Sequence, residues 1–99
     1  MAFIENYDFE FLKNEAENLV LNELEQQLAS YPDEICTCND CVVDMAAFAL
    51  NSVKPLYRYS LLGGLYAAEA LNDHKDYAES IRNAVAAAIE KVRQNPSHD

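Results

Sequence analysis

Cys36-Thr37-Cys38-Asn39-Asp40-Cys41 runs directly into Val42-Val43-Asp44-Met45-Ala46-Ala47-Phe48-Ala49-Leu50-Asn51, and the fold turns on how this stretch is read. All three cysteines of the 99 residues fall within its first six positions. A C-x-C-x-x-C spacing brings three sulfurs to one point. Disulfide pairing would leave one of them over, whereas a tetrahedral zinc ion takes three sulfurs and one further ligand without strain. The simpler alternative is three reduced cysteines gathered at a helix start. In both cases a helix begins inside the cluster, capped by Asn39 or Asp40, with Cys41 in its first turn, where the peptide dipoles favour an anionic sulfur. This second helix of the chain runs to about Val53, with Val42, Met45, Ala46, Ala49, Leu50 and Val53 as its buried stripe. Pro55 ends it, because the residue before a proline is pushed out of the helical region.

Upstream, residues 1–7 have no period and read as a loose or partner-bound arm. From Asp8, which can serve as N-cap, the pattern turns helical. Phe9, Leu12, Ala16, Leu19, Leu24 and Leu28 recur near helical spacing, with Glu10, Lys13, Glu17 and Glu25 on the other side. Leu19-Val20-Leu21 puts apolar groups on more than one face within a single turn. That is either a wide core stripe or a second face that packs against another chain. Pro32, within residues 30–34, breaks the helix before the cysteines.

Downstream, residues 56–64 are too aromatic for an ordinary solvent loop, and Gly63-Gly64 marks a sharp turn. Residues 65–71 read as a short helix. Asn72 or Asp73 then starts the clearest helix of the chain, with Tyr77, Ile81, Ala84, Val85, Ala88, Ile89 and Val92 in one stripe. Asp73, Asp76 and Glu79 near its positive end and Lys91 and Arg93 near its negative end suit the helix dipole, and Asn95-Pro96 stops it. There is no repeat, no low-complexity segment and no strand pattern. The expected fold is all-α: one domain over residues 1–99 with loose termini at 1–7 and 95–99. It is a small bundle of three to four helices, stapled by zinc at the start of the second helix.

Seven basic against seventeen acidic residues give a formal charge of −10. Such a surface repels DNA, RNA and anionic lipid, although a small anion held by one or two local cations remains compatible with it. The apolar fraction of 51% is high for so short a chain and points to a partner subunit, in the simplest case a homodimer. No apolar run approaches the ~18 residues of a membrane span, and no secretory leader pattern follows Met1. The expected compartment is the cytoplasm, where thiols stay reduced and a cysteine cluster favours metal.

Two groups of residues could carry chemistry. Cys36, Cys38 and Cys41 are candidate metal ligands. For the fourth position His74 is the candidate, with His98 in the terminal tail and Asp44 beside the cluster as lesser ones. Asp44 reads more naturally as an acceptor or cap near the sulfurs. Three sulfurs argue for a structural ion rather than a catalytic one. With no H-E-x-x-H, no Gly-rich phosphate loop and no serine elbow, the chain does not read as an enzyme. The second group is Lys54-Pro55-Leu56-Tyr57-Arg58-Tyr59-Ser60, which holds two of the seven basic residues and two of the six tyrosines. Arg58 and Lys54 suit a phosphate, and Tyr57 and Tyr59 offer flat faces for bases. The alternative is that the tyrosines plug the core while Arg58 pairs with surplus acid.

The combination of Cys36-Thr37-Cys38-x-x-Cys41, Asp44, Ala49-Leu50-Asn51 and Pro55-x-Tyr57, with the acidic helical lead-in over residues 14–28, resembles the late competence development protein ComFB family. The resemblance spans roughly residues 14–92. It implies a small regulatory protein; several members look like receptors for cyclic dinucleotide second messengers, and zinc-binding helical dimers occur among them. Carried over, Cys36, Cys38 and Cys41 would be zinc ligands, and Asp44, Asn51, Pro55 and Tyr57 match the family's other recurrent positions. Some members have a further cysteine late in the chain, which this one lacks. Many lack the cysteines altogether, which marks zinc as a staple rather than the common function. The resemblance implies a dimer that binds cyclic di-GMP or cyclic di-AMP around Lys54, Tyr57, Arg58, Tyr59 and Asn51 and acts on an unidentified regulatory protein partner. The other expectation is a zinc-stapled interaction adaptor with no small ligand.

Overall fold

The computed structural model describes residues 2–58 and 74–96. In chain order these form α1 (Ala2–Glu5), β1 (Lys13–Asn14), α2 (Ala16–Ala29), α3 (Asn39–Ser52), β2 (Tyr57–Arg58) and α4 (His74–Gln94). The fold is a small all-α bundle in which α2, α3 and α4 pack against one another, α3 against α4 most extensively. The short helix expected at 65–71 and the Gly63-Gly64 turn lie outside the described residues.

The core follows the helical period. α4 contributes Ile81, Val85, Ala88, Ile89 and Val92, all buried, with Tyr77 and Ala84 packed half-buried at its edge. α3 contributes Cys41, Met45, Ala46 and Ala49, flanked by Val42, Leu50 and Val53. α2 contributes Val20 and Leu24, with Leu19 and Leu28 alongside. Asp76 in the first turn of α4 and Lys91 and Arg93 in its last oppose the helix dipole with charge of the favourable sign.

The N-terminal third departs from the sequence reading. The helix expected from Asp8 begins at Ala16 instead, and Phe9 and Leu12 stay exposed outside it. Two competing interactions explain the delay. Asp8 takes the amide of Glu10 into a local turn (2.9 Å) rather than capping a helix. Lys13 and Asn14 are extended, because they pair with β2 in an antiparallel ladder that sets Lys13 opposite Arg58 and Asn14 opposite Tyr57. No strand pattern announces this ladder, since two residues a side carry no period. Asn14, just before the N-cap Glu15, then fastens the helix start: its Oδ1 accepts from the amide of Ala16 (3.1 Å) and from that of Leu56 (2.7 Å). Residues 2–5, within the arm that reads as aperiodic, form one helical turn. The run Leu19-Val20-Leu21, open between a wide core stripe and a second face, divides: Val20 is fully buried, whereas Leu21 is 48% exposed.

Candidate metal centre and ligand cleft

The cysteines are positioned by the start of α3. Cys38, not Asn39 or Asp40, is the N-cap: its backbone is extended and its Sγ accepts from the amide of Cys41 at 3.5 Å. A sulfur in this place does what a serine or aspartate oxygen does at other helix starts. The carbonyl of Cys38 accepts from the amide of Val42 (3.0 Å), which winds the first turn. That turn carries Cys41 inward, where it is 1% exposed among the core side chains, while Cys36 and Cys38 are exposed as residues. The three sulfurs lie within 4.8 Å of one another. Zn–S bonds of about 2.3 Å set tetrahedral sulfurs roughly 3.8 Å apart, so small rotamer changes suffice to close them on an ion. The cluster could hold a metal ion.

The segment leading to the cysteines is fastened to α4. Tyr31 donates its hydroxyl to Glu90 Oε2 (2.8 Å), and Arg93 donates to Glu90 Oε1 (2.7 Å). The Arg93 guanidinium, and after it the Tyr31 hydroxyl, hold the Glu90 carboxyl down at about 2. In return, donation to Glu90 pushes the Tyr31 hydroxyl up from its ordinary value.

The backbone at His74 opens α4. Tyr77, in the first turn of α4, donates its hydroxyl to the carbonyl of Lys54 (2.6 Å), just past the end of α3. α4 therefore starts beside the C-terminal end of α3. The cysteines stand at the other end of that 14-residue helix, about 20 Å away at ~1.5 Å per residue. Asp44, half-buried on α3, lies one turn after Cys41.

The residues of the second group cluster at this opposite end. Asn51 is exposed in the last turn of α3, and Lys54 is exposed just beyond it. Tyr57 is 61% exposed on β2, so it does not plug the core; Leu56, its neighbour, does that at 8%. Arg58 follows in β2, and Tyr59 lies outside the described residues. A cleft of about 580 Å³ opens here, lined by Ser52, Val53, Lys54, Pro55, Leu56, Asp76, Tyr77 and Ser80. Its floor is tied by hydrogen bonds: Tyr77 holds Lys54, while Asn14 and the amide of Glu15 (2.7 Å to the Leu56 carbonyl) hold Leu56. Burial raises the Tyr77 hydroxyl above its ordinary value, so it remains a donor at neutral pH.

The ladder adds a residue that sequence reading missed. Lys13 looks like one more polar residue of an amphipathic helix, yet the register makes it the partner of Arg58. With Lys54 nearby along the chain, three of the seven basic residues belong to the ladder and the cleft edge. Asp76, Tyr77 and Ser80 were likewise hidden, because α4 is distant in sequence from residues 54–58 and only the packing joins them.

No helix among the described residues is long and apolar enough to cross a membrane. No curated protein matches the chain. Among solved structures, the late competence protein ComFB from Bacillus subtilis is similar: it is 27% identical, with a TM-score of 0.68, and the similarity covers 87% of this chain and 92% of that one. The profile described as late competence development protein ComFB matches residues 13–96, which take in the cysteine cluster, the ladder and the cleft. The chain belongs to the ComFB late competence development protein family.

Proposed function

We propose that this protein is a regulatory receptor for a cyclic dinucleotide, acting as a homodimer with a structural zinc on Cys36, Cys38 and Cys41. The observation that carries the reading is the register of Lys13 opposite Arg58, two residues along the chain from the cleft-lining Leu56, in a chain of charge −10. Like charges directly opposite one another destabilise a ladder, and an anion between them reverses the sign. Long-range attraction of a diphosphate is unfavourable here, so affinity must come from short contacts. Lys13, Lys54 and Arg58 would take phosphate oxygens, while Tyr57 and Tyr59 stack on bases and Asn51 supplies a polar edge. Stacking gives ~1–3 kcal/mol per base and a charge-assisted bond roughly 1.5–3. Two of each, from two copies around a symmetric ligand, reach the about 8 kcal/mol of micromolar affinity after ordering costs. The cleft volume of about 580 Å³ falls within the usual span of small-molecule sites. Bound ligand would alter how the dimer meets a regulatory protein partner.

Calorimetric titration with cyclic di-GMP and with cyclic di-AMP tests this. Binding to one of them is expected, weakened roughly tenfold or more (about 1.4 kcal/mol) by Arg58→Ala with metal content and helicity unchanged. No heat with either ligand at hundreds of micromolar leaves the zinc-stapled interaction adaptor as the function. Binding that survives Arg58→Ala unchanged places the ligand elsewhere.

A further inference from the structure

The first twelve residues lie outside the part of the chain that matches the family, and they are built differently from it. They hold three of the chain's four phenylalanines, yet none of these enters the core. Phe3 is 66% exposed, and Ile4, Tyr7, Phe9, Phe11 and Leu12 are exposed as well. The segment is nonetheless ordered locally. The turn of α1, the amide of Asn6 on the Phe3 carbonyl (3.1 Å), the Asp8 turn and the amide of Leu12 on the Phe9 carbonyl (3.1 Å) fold it back on itself. The Phe3 ring meets that of Tyr7 at 4.9 Å between centroids and that of Phe9 at 6.3 Å. Between Phe3, Tyr7, Phe9 and Leu12 this leaves an apolar cradle of about 530 Å³. Single exposed apolar residues are ordinary; a contiguous aromatic cradle marks a docking surface.

Charge selects the occupant. Residues 1–12 carry Glu5, Asp8 and Glu10 and no lysine or arginine; Asp8 itself lines the cradle. The nearest cation along the chain, Lys13, lies outside the arm, in the ladder opposite Arg58. A second copy of this arm would bring the same three carboxylates against the first, within chains of charge −10 each. We infer that the arm is a docking site for a basic amphipathic segment of a partner protein, which seats one or two large apolar side chains in the cradle between lysines or arginines that meet the acidic rim. This is the helix-in-groove mode of recognition, with the rim charges setting rate and partner choice.

The test is a fluorescence-anisotropy titration of the full chain with a labelled helical peptide of leucines and lysines in amphipathic order, against a scrambled peptide of the same composition. The ordered peptide is expected to bind at least about tenfold more tightly than the scrambled one. Phe3→Ser with Phe9→Ser should remove that difference, and Glu5→Gln with Asp8→Asn and Glu10→Gln should weaken binding and flatten its salt dependence. Circular dichroism should show the helical bundle unchanged in both variants. Equal affinity for the two peptides, or retention of the ordered peptide by the serine variant, overturns the inference. So does a change from dimer to monomer on sedimentation of the serine variant, which would make the occupant a second copy.

Discussion

Asn14 shows how much one side chain can decide. Its carboxamide oxygen accepts two amides, one starting α2 and one fixing Leu56 at the floor of the cleft. A helix start and the floor of a cleft some forty residues further along the chain thus share one acceptor. Glu90 plays the same part at the other end, taking Tyr31 from the cysteine-bearing segment and Arg93 from its own helix. Its carboxyl is held at about 2 in the folded protein, below the ordinary 4.5. A carboxyl depressed by folding stabilises the fold above its unfolded value, and that contribution disappears as pH falls through the folded one. The gap in stability between the wild type and Glu90→Gln should therefore be constant above about pH 5 and narrow steadily as pH falls from 4.5 toward 2. Urea midpoints at pH 7 and pH 3 measure it. The effect is modest, because the pair lies open to solvent and salt screens it. An unchanged gap at pH 3 would deny Glu90 this role.

At the scale of the element, α3 is a helix whose start is made of sulfur. Cys38 caps it and Cys41 enters the core, so an ion held by the cluster would fasten the helix start to Met45 and α4 behind it. Protein purified without added metal should carry about one zinc per chain. Chelation should lower its melting temperature, by about 4–8 °C for each kcal/mol lost in a chain of this size. Elemental analysis and a thermal scan with and without chelator give the answer; metal well below one equivalent, with three titratable thiols in the folded protein, would defeat it. How far the elements were legible follows from their lengths. The stripe of α3 repeats over about three turns and that of α4 over about four, and Ile81, Val85, Ala88, Ile89 and Val92 stand buried as their spacing requires. The clustering of the three cysteines was legible as well, since they are neighbours in the chain. Hidden were features that exist only through distant pairing: the ladder of Lys13 and Asn14 with β2, the hold of Asn14 on the start of α2, and the share of α4 in the cleft. Phe9 and Leu12 misled for the same reason, being in phase with a helix that the ladder keeps from reaching them.

For the whole molecule, the proposed homodimer needs an apolar surface that a second copy could meet. The acidic rim sets the arm against itself, and the core-facing stripes are spent within the chain. On α2 the pair Val20 and Leu21 divides between the two directions: Val20 is 0% exposed and belongs to the core, whereas Leu21 stands 48% exposed on the outer side. A homodimer through the outer face of α2 should then respond to the two positions in opposite ways. Leu21→Glu places a charge where it meets only the partner copy, so sedimentation should show a monomer with unchanged helicity. Val20→Glu buries an unpaired carboxyl, a penalty of several kcal/mol against a total stability of about 5–15, so helicity itself should collapse. The contrast separates assembly from folding, which a double substitution would confound. Should Leu21→Glu remain a dimer, the outward Val43 and Phe48 of α3 become the next surface to charge, since the Lys91 ammonium, 5.8 Å from the Phe48 ring centre, leaves that ring 41% exposed. A wild type that sediments as a stable monomer at micromolar concentration would remove the dimer altogether. A cyclic dinucleotide would then have to be held by the residues of one cleft alone.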